Sequence, residues 1–229
     1  KSRSGMVGGN GQLFHDAVVS GKTICGPVIA SAIEKALKMG ESNACMKRIV
    51  AAPTAGACGV LPAVLVNYQK EKGTADEQIV RALYTAAGIG QVVAARAYIA
   101  GASGGCQAEI GTASAMAAGA LTALGGGTPS QITHAAAMAL KNLLGLVCDP
   151  VGGLVEVPCV KRNVIGSVNA LSAADMALAG IISRIPPDQV IDAMREVGDQ
   201  MHPSLRETGQ GGLANTPAAR EWCAAQEEE

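Results

Sequence analysis

The sequence predicts an all-α fold, organised as a single domain over residues 1–229 with Gly-rich loops at the N-termini of its helices. Hydrophobic residues make up 48 % of the chain, whereas aromatic residues make up only 2 %. Alanine and glycine must therefore fill much of the core, so its helices pack closely through small side chains. A β-sandwich would instead need abundant valine, isoleucine, tyrosine and phenylalanine. Neither an internal repeat nor an alternation of strands and helices is visible, which also favours one helical domain.

Turn residues divide the chain into successive elements. A first helix is expected to end near Gly40, and Pro53 ends a short extended run. Two prolines and two glycines make the segment 148–158 irregular. The predicted order is a Gly- and Ser-rich loop at 1–11, a helix at 23–39, the extended run at 48–52, helices at 60–70, 75–100, 107–124 and 129–146, the irregular segment at 148–158, helices at 159–182 and 187–201, a Gly-rich loop at 209–216 and a short terminal helix.

A long run without Asp, Glu, Lys or Arg extends from Ile110 to Leu140 and raises the question of a membrane span. Several glycines, many serines and threonines, and Pro129 interrupt the run. We interpret it as two buried helices joined by a Gly-Gly-Gly-Thr-Pro turn, and we expect no membrane association. Because the chain opens on Lys1 without a signal peptide or an initiator methionine, we expect that it is trimmed at its N-terminus.

Charge and cysteine content exclude two classes of protein. The net charge is −1 and no dense Lys/Arg tract occurs, so we expect no nucleic-acid ligand. Seven cysteines, an odd number, argue against a disulfide framework and for the reducing cytoplasm. Some of these thiols are candidate ligands, although a free cysteine is usually a small buried hydrophobe.

Three loops are candidate sites. Residues 53–59 and 102–106 are Gly-rich and lead into helices, where free backbone N–H groups can bind a carboxylate or phosphate. Tight packing explains such loops equally well, and neither matches a phosphate-binding or dinucleotide-binding motif. In the third loop, Cys148 and Cys159 flank a Pro/Gly-rich turn that can bring their sulfurs together. With Cys106, they would provide three thiolates from loops at helix ends, which could hold a metal cluster. Their spacing matches no zinc signature.

These loops lie within longer motifs that occur in chain order over nearly all of the sequence. The motifs are Ser-Arg-Ser-Gly at 2–5, Ala-Pro-Thr-Ala-Gly-Ala at 52–57, Ala-Ser-Gly-Gly-Cys-Gln-Ala-Glu at 102–109, the segment 148–159 with Arg162-Asn163, and Gly-Gly-Leu-Ala at 211–214. The sequence in this respect resembles the alpha chain of the bacterial iron–sulfur L-serine dehydratases. The motifs around Cys106 and Cys148 are the most specific.

The resemblance implies an all-helical catalytic domain that converts L-serine into pyruvate and ammonia with a [4Fe-4S] cluster and without pyridoxal phosphate. Cys106, Cys148 and Cys159 would be the ligands, which leaves one iron open to the substrate hydroxyl. A separate beta chain, or a beta domain, usually completes such enzymes, so we expect a homo- or hetero-oligomer.

Candidate substrate contacts follow from the matching motifs. Donors for the serine carboxylate are expected among Ser2, Ser4, Thr54, Gly56, Ser103 and Gly104. Asp149 and Glu109 neighbour predicted ligands and would tune the cluster or cap the local backbone. Cys223 is either a plain thiol on the last helix or a cap for the open iron.

The sequence does not identify the general base. The candidates are His15, Lys47 and Lys161, with Lys141 as a further lysine whose pKa burial could lower. His134 and His202 are interpreted as structural. The base could also come from residues upstream of Lys1 or from the partner.

Three alternatives remain. A pyridoxal-phosphate lyase would use the Gly-rich loops for phosphate and a lysine for the Schiff base. Another cluster-dependent lyase would act on a different leaving group, such as the thiol of cysteine. A non-catalytic helical subunit would use the cysteines only for structure.

Overall fold

Ten α-helices, short 3-10 and π-helical turns, and no strand make up the regular structure of residues 1–227, which is the part of the chain that the computed structural model describes. The end of the predicted domain, residues 228–229, lies outside this range. The helices are α1 (Asn10–Val19), α2 (Gly26–Ala44), α3 (Val60–Lys72), α4 (Asp76–Arg96), α5 (Gly101–Gly104), α6 (Thr112–Leu124), α7 (Pro129–Lys141), α8 (Cys159–Leu178), α9 (Pro187–Gln200) and α10 (Pro217–Glu227). The predicted all-α class is confirmed.

The charge-free run forms the centre of the fold. Every residue of α6 from Thr112 to Thr122 is buried, and this helix packs against α3, α4, α7 and α8. A turn at 125–128 leads into α7, where Thr128 and Gln131 form a capping box. The interpretation as two helices joined by a turn is therefore confirmed, but α7 is buried only over its second half, from Ala135 to Leu140. Within residues 1–227, no helix combines the length and the apolar character needed to cross a bilayer.

Helix α1 was not predicted, because its N-terminal cap comes from another helix. The Glu41 carboxylate on α2 accepts hydrogen bonds from the backbone N–H groups of Asn10 (2.8 Å) and Gly11 (3.1 Å). These two N–H groups have no acceptor within α1, so the side chain of Glu41, which is distant in the sequence, supplies the acceptors. The expected end of the next helix at Gly40 is also wrong, because α2 continues to Ala44. At Gly40 this helix passes close to Val160 on α8, where a Cβ atom would lie 3.3 Å from the Val160 Cα.

Other predicted elements were too long or were assigned the wrong type of secondary structure. Residues 48–52 form no strand. Helix α8 ends at Leu178 rather than at 182, because Gly180 adopts the left-handed conformation (φ 90°). Helix α7 ends at Lys141 rather than at 146, and the residues that follow turn toward the cysteines.

Glycines at helix crossings account for the close packing, and Gly166 on α8 provides a test. A Cβ atom on Gly166 would lie 2.9 Å from Ile110 Cγ2 and 3.0 Å from Val60 Cγ2. We expect Gly166→Ala to lower the free energy of unfolding by about 1–2 kcal/mol, because overpacking outweighs the helix propensity gained. Urea unfolding at an unchanged m-value measures the effect.

Gly88 on α4 is the matched control, because no atom lies within 4 Å of the Cβ position there. Gly88→Ala should raise the free energy of unfolding by about 0.5–1 kcal/mol, since only helix propensity changes. Shifts of the same sign for both variants would contradict the proposed role of Gly166.

Candidate metal centre

Cys106 and Cys148 are brought together by a turn that Gly105 and Gln107 fix. Gly105 has φ 76°, and a Cβ atom there would lie 2.9 Å from the Leu146 carbonyl oxygen. The Gln107 backbone N–H donates to this oxygen at 2.8 Å, while its side-chain oxygen accepts from the Gly145 N–H at 2.9 Å. The segment before Cys148 is therefore fastened to the residue after Cys106. A π-helical turn follows at Gln107–Gly111, a feature that is frequent at functional sites.

The Cys148 backbone is held on its other side by the segment after α9. Its N–H donates to the Leu205 carbonyl at 2.8 Å, and its carbonyl accepts from the Glu207 N–H at 2.7 Å. Asp149 next to it accepts from the Leu213 N–H at 2.8 Å. The 211–214 motif thus packs onto the Cys148 loop.

Cys159 is the first residue of α8, and Asn163 one turn later connects it to the Thr54–Gly59 loop. The Asn163 amide donates to the carbonyls of Cys159 (3.0 Å) and Gly56 (2.7 Å), and its oxygen accepts from the Gly59 N–H at 2.8 Å. Asn163 is fully buried, so these bonds replace water for three backbone groups. The sequence shows Asn163 only as part of a motif and gives no signal for these contacts.

The thiols of Cys106, Cys148 and Cys159 are all buried, and Arg162 lies among them. Its guanidinium donates to Cys106 Sγ at 3.4 Å, to the Val147 carbonyl at 2.8 Å and to Asp149 Oδ1 at 2.8 Å. The neighbouring Cys148 thiol lowers the pKa of Cys106 by hydrogen bonding, and Arg162 adds to this against the effect of burial. Hydrogen bonding to Cys106 and burial raise the pKa of Cys148. Burial, with the charge of Cys106, raises the pKa of Cys159 to about 12.

The three thiols are the type of donor that an iron–sulfur cluster takes from a protein. Among residues 1–227, no three His, Cys, Asp or Glu side chains come close enough to bind one metal ion. A four-iron cluster takes one cysteine thiolate at each corner that the protein holds. Gly101 leaves room beside one of the sulfurs, because a Cβ atom there would lie 2.8 Å from Cys148 Sγ. Buried cysteines with an adjacent guanidinium are donors that fit an iron–sulfur cluster.

Thr54 and Gly56, two of the predicted substrate contacts, adjoin the Glu109 carboxylate. The Thr54 hydroxyl donates to Glu109 Oε1. A Cβ atom on Gly56 would lie 2.5 Å from that oxygen, so only glycine allows the carboxylate this position. Burial raises the pKa of Glu109, and the bond from Thr54 opposes the rise.

Ser2 and Ser4 converge on a residue that the sequence analysis did not single out. Both hydroxyls donate to Glu156 Oε2, at 2.7 Å and 2.6 Å. Glu156 is buried in the loop between Cys148 and Cys159, so the N-terminal segment is fixed to that loop. An acidic residue among valines and prolines was the available signal for a buried partner.

Ser103 and Gly104 lie on the short helix α5 just before Cys106. Ser103 is exposed, whereas Gly104 is buried against Tyr98 and Gly198. A Cβ atom on Gly104 would lie 3.0 Å from the Tyr98 ring, so packing alone accounts for this glycine.

The structure does not bring the candidate bases to the cysteines. His15 Nδ1 lies 3.0 Å from Glu34 Oε1, and Lys47 and Lys161 are exposed. Within residues 1–227, none of the three hydrogen-bonds to Glu109 or to a predicted ligand. Lys141 donates to Ser183 at 3.3 Å.

The other cysteines are also free thiols. Cys25 is exposed, Cys45 is half-buried and Cys58 is buried, where its thiol donates to the Met39 carbonyl at 3.8 Å. Cys223 on α10 lies against the Cys148–Cys159 loop, since a Cβ atom on Gly152 would lie 3.5 Å from its sulfur. Its role as a cap for an iron stays a prediction.

Comparison with known proteins gives a consistent result. The profile of the serine dehydratase alpha chain family matches residues 1–214. The chain is 55 % identical over 220 residues to the probable L-serine dehydratase alpha chain of Bacillus subtilis (strain 168). This match covers 96 % of this chain and 73 % of that protein. It is 49 % identical over 211 residues to the L-serine dehydratase alpha chain of Peptoniphilus asaccharolyticus. This match covers 92 % of this chain and 72 % of that protein. It is 47 % identical over 181 residues to the L-serine dehydratase TdcG of Escherichia coli (strain K12), covering 78 % of this chain and 40 % of that protein. The chain therefore belongs to the serine dehydratase alpha chain family.

Proposed function

We propose that the chain is the catalytic alpha part of an L-serine dehydratase and that Cys106, Cys148 and Cys159 hold a [4Fe-4S] cluster. The observation that carries the proposal is the buried group of these three cysteines around Arg162, assembled from segments far apart in the sequence. The names of the relatives support the substrate and the reaction.

The reaction removes the Cα proton and the hydroxyl group of L-serine. The product, 2-aminoacrylate, is hydrolysed to pyruvate and ammonia. When bound, a cluster with three thiolate ligands would supply an open iron that acts as a Lewis acid toward the departing hydroxyl.

The residues of the chain would hold and orient both the ligands and the substrate. Arg162 stabilises the thiolate of Cys106, and Asn163 keeps the Thr54–Gly59 loop against Cys159. We keep Ser103 as a contact of the substrate, whereas Thr54 and Gly56 hold the Glu109 carboxylate, and Ser2 and Ser4 act through Glu156. Fixed positions of this kind contribute to the rate because the reacting groups need not be reordered.

The name of the family implies a second component. The chain covers 73 % and 72 % of two alpha-chain relatives but only 40 % of the Escherichia coli relative. We propose that a beta chain or a beta domain completes the enzyme and that the assembly is an oligomer. Because His15 is bound to Glu34 and Lys47 and Lys161 are exposed, we propose that the base that takes the Cα proton comes from this partner.

The test uses the chain produced with its beta chain and reconstituted without oxygen. We expect about four iron and four sulfide per chain and pyruvate from L-serine, both lost on exposure to air. Pyruvate from L-cysteine but not from L-serine would indicate a different leaving group. A lysine adduct trapped by borohydride would support pyridoxal phosphate, and iron without turnover would indicate a non-catalytic subunit.

A further inference from the structure

Glu109 is a carboxylate beside the cysteines that the proposed reaction has not yet used. It lies in the π-helical turn that follows Cys106, so one turn fixes both the sulfur and the carboxylate. Gly56 on the facing loop leaves the space that the carboxylate occupies.

Only one oxygen of this carboxylate is engaged by the protein. Oε1 accepts the hydroxyl of Thr54, and within residues 1–227 no group donates to Oε2. Among residues 1–227, the fully buried side-chain polar atoms without a partner lie on Thr112 and His134, so Oε2 keeps some exposure to solvent. Thr54 thereby fixes the orientation of the carboxylate without saturating it.

Glu109 also lacks a cation of its own. Arg162 lies within electrostatic range, but it is already bound to Asp149, to the Val147 carbonyl and to Cys106. Glu207 adds a second negative charge nearby. The surroundings of Oε2 therefore favour a positively charged hydrogen-bond donor.

We propose that Glu109 binds the α-ammonium group of the substrate amino acid through Oε2. The assignment rests on the proposed function, because L-serine brings the missing cation into the site as a zwitterion. Thr54 and Gly56 then act as positioning residues for this carboxylate. The site would therefore select amino acids over analogues without the ammonium group, because such an analogue would leave the negative charge of Glu109 without a counter-charge.

The test compares Glu109→Gln with the wild type for two ligands. Glutamine keeps the size of the side chain and an acceptor for Thr54, but it carries no charge. The ligands are L-serine and 3-hydroxypropanoate, which lacks only the ammonium group. For L-serine, KM on the oxygen-free complex reports the affinity, because an active enzyme consumes this ligand during a titration. For 3-hydroxypropanoate, calorimetry and the inhibition constant give the affinity independently. A protein that forms no pyruvate can be titrated with both ligands. We expect the affinity for L-serine to fall about 10- to 100-fold and that for 3-hydroxypropanoate to change less than about 3-fold.

Glu71→Gln on α3, where the side chain is exposed, is the matched control and should leave both affinities unchanged. An equal loss for both ligands would identify Glu109 as a structural contact and overturn the proposal. A fall in kcat with unchanged L-serine binding would identify it as the base and overturn the proposal as well.

Failure of the proposed function has a different signature. A wild type that binds L-serine without forming pyruvate contradicts the dehydratase, while the comparison of the two ligands still decides on Glu109. A wild type that binds neither ligand contradicts both. If Glu109→Gln does not fold, Thr54→Val keeps the charge but removes the orienting bond. L-serine affinity should then fall about 3- to 10-fold with 3-hydroxypropanoate unchanged, and no change for L-serine would overturn the proposal.

Discussion

Replacement of Cys106, Cys148 or Cys159 by serine, one at a time, is expected to abolish cluster binding and to lower pyruvate formation from L-serine by at least about 10³-fold. Each variant leaves two thiolate ligands, which do not retain a four-iron cluster. The Lewis acid contributes several kcal/mol to the transition state, and each 1.36 kcal/mol corresponds to a tenfold change in rate. Iron and sulfide counting on oxygen-free protein, together with the L-serine assay, measures both effects.

Cys25 and Cys45 provide matched controls, because the same atom is exchanged outside the group of three cysteines. Cys25→Ser and Cys45→Ser should keep iron and activity. If the substitutions at 106, 148 and 159 changed only the unfolding midpoint while iron and activity stayed at the wild-type level, the three thiols would be structural and the cluster proposal would be wrong.

The helices that local signals define were predictable from the sequence. Thr128 and Pro129 fix the start of α7, and the absence of charge between Ile110 and Leu140 marked α6 and α7 as buried. Helix α1 was missed because the cap of its first turn is Glu41, on the neighbouring helix. A sequence pattern carries no signal for a cap supplied by a distant residue.

The same limit applies to the candidate site. The segments that meet there were identified by their motifs, but the side chains that join them were not. Asn163 joins Gly56 to Cys159, and Glu156 joins Ser2 and Ser4 to the loop between the cysteines. Asn163 lies 107 positions from Gly56, and Glu156 lies 154 positions from Ser2. Only the folded arrangement of α8 and its loops therefore defines these contacts.

Arg162→Met is expected to destabilise the metal-free protein by about 3–5 kcal/mol, which corresponds to a fall of about 10 °C in Tm. The Arg162 side chain is 11 % exposed and that of Asp149 only 4 %. Removing the guanidinium leaves the buried Asp149 carboxylate with the Leu213 N–H but without a counter-charge. Differential scanning calorimetry on protein without iron measures the effect, so that loss of the cluster does not contribute.

Arg96→Met is the matched control, because Arg96 also pairs with carboxylates, on Asp192 and Asp188, but is 39 % exposed. Solvent screens that pair, so its removal should change Tm little. Adding Asp149→Asn to Arg162→Met should restore part of the lost stability, because the uncompensated charge is then removed while an acceptor for the Leu213 N–H remains. A Tm for Arg162→Met equal to that of Arg96→Met would mean that Arg162 is not required to neutralise the site. Its contact with Cys106 would then be the remaining reason for its position.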